Sequence, residues 1–203
     1  MIDITAYDRF VLRQRVKLVI NQYVFSVPDG ESDGEQFCFV EQKRFKFKED
    51  VRFYTDDSKS VDLMRILARQ RFDPRATYDI ATADGVQLGA IQKVFGKSLF
   101  RSTYAIFAPD GQEICQAREV SMPKAIFRRV VGIVPYIGDF ADWLPIAYDF
   151  EFVRGDQVLA TNVRRRWKWR DVYDIDASGD TGRALDRRLL LAATVGMDAL
   201  QAR

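Results

Sequence analysis

Short runs in which β-branched or aromatic residues alternate with polar ones recur along the chain: RVKLVINQYVFSV (15–27), QFCFVEQ (36–42), KRFKFK (43–48), VRFYT (51–55), VDLMRILARQ (61–70) and TYDIAT (77–82). The series continues with VQLGAIQKV (86–94), STYAIFA (102–108), QEICQAREV (112–120), IAYDFEFV (146–153), QVLATNVRRRWKW (157–169) and DVYDIDA (171–177). A period of two places alternate side chains on opposite faces of a strand. Between many runs stand Asp29-Gly30, Asp33-Gly34, Asp84-Gly85, Asp110-Gly111 and Gly155-Asp156. Pairs of this kind tolerate the positive φ that tight hairpins need. The pattern predicts a meander of about a dozen antiparallel strands, and a sheet that large closes or folds over to protect its edges.

The end of the chain, DRRLLLAATVGMDALQAR, breaks the pattern. After SGDTG (178–182), with Asp180 or Thr181 placed to cap, a helix is expected over 183–201. From Leu189 to Met197 it is apolar on every face except at Thr194. A helix apolar all round belongs inside something. A membrane span needs roughly 20 apolar residues, and Arg187, Arg188 and Asp198 bound this run too closely. A dozen helical residues rise about 18 Å, comparable with a strand, so the helix would thread a barrel. The expectation is one domain over 1–203, an all-β closed antiparallel barrel around an apolar C-terminal α-helix.

Composition narrows the chemistry. With 31 Lys and Arg against 29 Asp and Glu, the net charge of +2 is too small to make the whole surface attract anions, so anion binding must come from local clusters and nucleic acid is not an expected partner. The chain has no histidine, which excludes Ser-His-Asp and Cys-His catalysis and HExxH zinc chemistry. Cys38 and Cys115 are isolated, implying neither a disulfide framework nor a zinc site. The start, MIDITAYDRF, lacks a signal-peptide pattern. A soluble, cytoplasmic protein without a cofactor is expected.

The opening LRQRVKLVINQYVFSV, the central YDIATADGVQLGAIQKVFGKSLFRSTYAIFAPDGQEICQAREV and the closing WKWRDVYDID with DRRLLLAATVGMDAL together resemble the Tubby C-terminal-like superfamily. The likeness is to its LURP-one-related and phospholipid scramblase branch and that branch's bacterial relatives. It covers most of the chain apart from 121–146, and implies a barrel of about twelve strands around a central helix. It also implies a binding module, since Tubby domains bind phosphoinositides through a basic patch. Scramblases carry a membrane tail, a cysteine-rich lipidation segment and a calcium-binding stretch; two lone cysteines and no EF-hand-like loop depart from that pattern, so scrambling and calcium dependence do not carry over.

Basic clusters are the candidate sites. A strand through NVRRRWKWR would put Arg164, Arg166, Lys168 and Arg170 on one face, and Arg165, Trp167 and Trp169 toward the core. In KRFKFK, Arg44, Lys46 and Lys48 oppose Phe45 and Phe47. Two such stripes, if neighbours, would suit lipid phosphates, whereas charged outer faces also serve ordinary solvation. The segment 121–146 departs from β-alternation. Its Phe127, Arg128, Arg129, Tyr136 and Trp143 suit either a membrane or partner contact or a lid across one end of the barrel. Gly96-Lys97-Ser98 has the wrong spacing for a phosphate loop, and Asp139 with Asp142 offers only a weak carboxylate pair. The expected function is a non-enzymatic binding or scaffold module, peripheral at anionic phospholipid or, alternatively, binding a protein through 121–146.

Overall fold

The computed structural model describes residues 2–16, 20–30, 32–43, 50–69, 77–94, 102–120, 149–165 and 172–201. After a 3-10 turn at Ile4–Ala6 come β1 (Arg9–Val16), β2 (Ile20–Asp29), β3 (Ser32–Lys43), β4 (Asp50–Tyr54), β5 (Asp62–Ala68) and β6 (Thr77–Thr82). The order continues through β7 (Gln87–Lys93), β8 (Thr103–Phe107), β9 (Glu113–Glu119), β10 (Phe150–Arg154), β11 (Gln157–Arg164) and β12 (Val172–Asp176), and ends in helix α1 (Arg187–Gln201). Each strand pairs antiparallel with the next, and β1 pairs with β12 from Arg9↔Asp176 to Arg13↔Val172, which closes the barrel.

The first strand begins earlier than the alternation indicates. In RFVLRQRV the inward residues Phe10 and Leu12 join the core, but Val11, of the opposite parity, is also buried, at 1% exposure. An apolar residue on both faces blurs a period of two. Residues 44–48, expected as strand, lie outside the described residues; β3 runs through Lys43. Gly30, Gly85, Gly111 and Gly155 take positive φ at the hairpin turns, as the Asp-Gly and Gly-Asp pairs require.

Inward residues such as Phe25, Phe53, Ile66, Ile80, Ile106 and Phe152 form a continuous core with α1. Leu189, Leu190, Leu191, Ala192, Ala193, Val195 and Met197 are each 0% exposed, as expected for a helix that occupies the barrel. Two glycines set its closest approach to the wall. A Cβ at Gly89 on β7 would lie 2.8 Å from Leu189 Cδ2, and one at Gly196 on α1 would lie 3.0 Å from Ile91 Cδ1.

The helix starts at Arg187 and not at 183. Arg183 has φ of 48°, which does not propagate a right-handed helix. The cap is Asp186, whose carboxylate accepts from the Arg188 N–H at 2.8 Å while its carbonyl accepts from the Leu190 N–H at 2.9 Å. Burial opposes charge on Asp186, but hydrogen bonds from the Arg188 side chain and backbone outweigh it and hold the carboxyl below its ordinary range. Asp180 has a different task. It accepts from the Ala184 and Leu185 N–H groups at 3.0 and 2.9 Å and from Arg187 Nη1 at 2.8 Å. Thr181 is exposed.

Arg187 fastens the two ends of the fold together. At 2% exposure, it also donates to Asp8 Oδ1 at 2.7 Å and to the carbonyls of Leu185 and Ala177 at 2.8 and 3.3 Å. Burial disfavours its charge, and the hydrogen bonds from Arg187 to Asp180 and Asp8 more than offset that, pushing its pKa up. Removing one partner of a buried pair strands the other charge, typically at a cost of about 3–5 kcal/mol. Arg187→Met is expected to lower unfolding free energy by about that amount in urea titration. Leu190→Asp places an unpaired charge in the core; circular dichroism is expected to show loss of the cooperative transition, and native-like stability would mean that the helix is peripheral.

Candidate functional site

The barrel interior is packed. A cavity of about 20 Å³, measured for the centre of a water-sized sphere, lies beside Thr194 of α1 and is bordered by Gln14, Tyr23, Asn162 and Tyr173. That is room for about one water. Tyr23 Oη donates to Gln42 Oε1 at 3.1 Å, Thr194 Oγ1 donates to the Leu191 carbonyl at 2.8 Å, and Asn162 Oδ1 is buried without a donor among the described residues. Both thiols face the same core. Burial raises the Cys38 pKa strongly and pushes Cys115 up to about 12. Neither resembles the electropositive, accessible setting of a reactive cysteine.

The outer surface is divided by topology. Because successive strands are antiparallel, the described ends that flank 17–19, 44–49, 70–76, 95–101, 121–148 and 166–171 all lie at one rim of the barrel. Those segments lie outside the described residues. The opposite rim carries the hairpin turns and the segment from Ala177 to Asp186 that leads into α1. The helix therefore runs from the hairpin rim toward the connection rim.

Of the basic candidates, Arg164 is described; Arg44, Lys46, Lys48, Arg166, Lys168 and Arg170 lie outside the described residues, as do Trp167 and Trp169. The same holds for Phe127, Arg128, Arg129, Tyr136, Trp143 and Gly96-Lys97-Ser98. At the two described positions of the run beginning at 164, facing is the reverse of that expected. Arg164 pairs in register with Tyr173, and Asn162 pairs with Ile175, so Arg164 shares the inward parity of core positions and is half-buried. Its N–H donates to Asp149 Oδ1 at 2.9 Å. The expected facing takes its phase from Trp167 and Trp169 as core residues, whereas β11 takes its own from Ala160 and Asn162, both buried at inward positions.

Arg165 points outward and is engaged by acids. Its Nη2 donates to Asp174 Oδ1 at 2.6 Å and its Nη1 to Asp33 Oδ1 at 2.9 Å. Hydrogen bonding to Asp174 leads the effects that raise its pKa. Arg13 on β1 donates to Asp33 as well. Asp33 thus ties the β2–β3 hairpin across the outer face of β1 and β11, a role its place in an Asp-Gly pair gives no sign of. Nor are the two basic runs on neighbouring strands. Between β3 and β11 stand β12, β1 and β2, about 19 Å of wall at ~4.8 Å per strand. What 44–48 and 166–170 have in common is the rim they leave from.

The barrel closed around a C-terminal helix has a counterpart in sequence: a family model described as LURP-one-related matches residues 37–198. The chain belongs to the LURP-one-related family. The match runs from β3 into α1, and the LURP-one-related fold fits the Tubby-like superfamily. A comparison with curated proteins returns no match. In this LURP-one-related chain no helix among the described residues is long and apolar enough to cross a membrane.

The packing of the LURP-one-related core makes the thiols testable. With Cys38 at 0% and Cys115 at 2% exposure, neither is expected to react with a disulfide-exchange reagent at mildly alkaline pH until denaturant unfolds the barrel. Stoichiometric labelling of the native protein at the unfolded rate would place them at the surface.

Proposed function

We propose that this LURP-one-related barrel is a non-enzymatic binding module that contacts anionic phospholipid surfaces, including phosphoinositide-bearing ones. The basic segments 44–48 and 166–170 supply the attraction, and Phe127, Arg128, Arg129, Tyr136 and Trp143 supply further contact. The observation that supports this reading is the strand order, in which the described ends flanking these segments, Lys43 and Asp50, Val120 and Asp149, and Arg165 and Val172, lie at the same end of the barrel. Basic residues near an anionic leaflet are worth about 1 kcal/mol each, so several brought to one end act together. The family assignment agrees with a binding module, and burial of α1 within the barrel favours a contact surface on the outside.

Co-sedimentation with vesicles tests the reading, comparing phosphatidylcholine alone with phosphatidylcholine carrying phosphoinositide at low and moderate salt. The protein is expected to pellet with the anionic vesicles alone, less so at higher salt. The triple variant R166E/K168E/R170E should lose that binding with its melting temperature retained. Arg164 is left intact because its inward parity makes reversal there a folding experiment. Absence of binding under every condition would sink the lipid reading and turn attention to a protein partner of 121–146.

A further inference from the structure

From Val27 to Gln36 the β2–β3 hairpin is a two-stranded ribbon that has left the wall. Pairing of β1 with β2 stops at Ser26, and pairing of β3 with β4 begins only at Phe39. The β2–β3 register shifts between Phe25 and Ser26 and again between Val27 and Asp29, and bulges of this kind bend a strand. Asp29, Gly30, Ser32, Gly34, Glu35 and Gln36 are exposed. An isolated ribbon is marginally stable at best, so its position depends on what holds its tip.

Asp33 is the hold, and the register of the wall says where it sits. Arg13 on β1 pairs with Val172 on β12, and the Arg165 N–H, just past β11, donates to the Val172 carbonyl at 2.8 Å. The three residues form one row. Arg13 and Val172 have the opposite parity to Leu12 and Tyr173 of the core, so they face outward. The two arginines stand on strands about 10 Å apart at ~4.8 Å per spacing. Even so, Asp33 Oδ2 accepts from Arg13, and Oδ1 accepts from Arg165 at 2.9 Å. A carboxylate shared by both lies above the strand between them, over Val172. That outward valine is 1% exposed, and so is Val11, its neighbour on the outer face of β1.

We infer that the hairpin from Val27 to Gln36 is a strap that opens and closes over the outer wall of β1 and β12 while the barrel stays folded, with Asp33 as its catch. The side chains of Arg13, Asp33 and Arg165 keep between 22% and 33% of their exposure, so dissolved salt screens the catch. The clamp of Arg187 with Asp180, by contrast, is buried on both sides. When the strap lifts, Arg165 keeps Asp174 as a partner at 2.6 Å, so opening strands no charge there. Local opening of this kind is drawn from elements with few buried contacts and exposed backbone. The open form bares Val11 and Val172 beside Val163, which is exposed already. Val11 and Val163 flank Asp174 in one register row, so the closed strap conceals an apolar strip on the wall.

Hydrogen exchange of the full chain, read by mass spectrometry, tests the strap in the unaltered protein and in Asp33→Asn, which keeps the shape of the side chain and removes its charge. Loss of two partly exposed pairs is expected to speed exchange of the 27–37 amides about tenfold, with β6, β7 and β8 unchanged. In the unaltered protein, ~0.5 M sodium chloride, with a Debye length of about 4 Å, is expected to speed the same amides, and to do so far less in Asp33→Asn. The concealed strip is read separately by Val172→Cys, since the native thiols are buried: the introduced thiol should label faster when Asp33→Asn is added. Equal exchange at 27–37 with and without the Asp33 charge would overturn the proposal, as would acceleration spread evenly over the barrel or a variant that does not fold. Faster exchange with unchanged labelling at 172 would overturn the cover over Val172.

Discussion

A closed sheet of twelve strands has an inner face that must be covered, and α1 covers it. The other features follow from that constraint. Its positions from Leu189 to Met197 are buried on every face that is described, so this stretch carries no exposed polar face, and the wall yields at Gly89 to let Leu189 in. Because α1 packs against the inward side chains of the described strands, the inner surface that other barrels give to ligands serves here for packing.

Holding the helix in place requires a polar device at the point where it goes in. Asp180, itself 3% exposed, closes the turn before α1 through two backbone N–H groups and then meets Arg187, which reaches on to Asp8. The arrangement satisfies a buried guanidinium from two carboxylates and two carbonyls, which is how a charge becomes tolerable in a core. A second clamp works on the outer face, where Asp33 draws Arg13 and Arg165 together. Both devices set acid against base across long distances in the chain. Local sequence alone therefore overstates how many of its cations face solvent unneutralised.

Much of the architecture was legible because it rests on short-range physics. Strand alternation, positive-φ residues at the turns and an apolar run too short to span a bilayer each act over a few residues, and together they give the closed barrel and its helix. Where two faces of one strand are apolar, as at Phe10, Val11 and Leu12, the period fails and β1 goes unseen. Where the phase is read from residues past the end of a strand, as from Trp167 and Trp169 beyond β11, it inverts and Arg164 and Arg165 exchange sides. Partnerships such as Arg187 with Asp8, or Arg165 with Asp33, depend on closure of the whole barrel and leave no mark on neighbouring residues. Of the candidate site, the residue types were readable; strand order adds only which described strand ends flank them.

The joining of β1 to β12 and of Asp8 to Arg187 also bears on how the protein is made. Strands synthesised first have their partner, and the filling for their inner face, among those synthesised last. On a ribosome the early hairpins can form locally, but each would expose an apolar side until α1 emerges from the tunnel. Folding of this kind, dominated by contacts distant in sequence, is slow. Completion of the fold thus waits on α1, the element that fills the barrel.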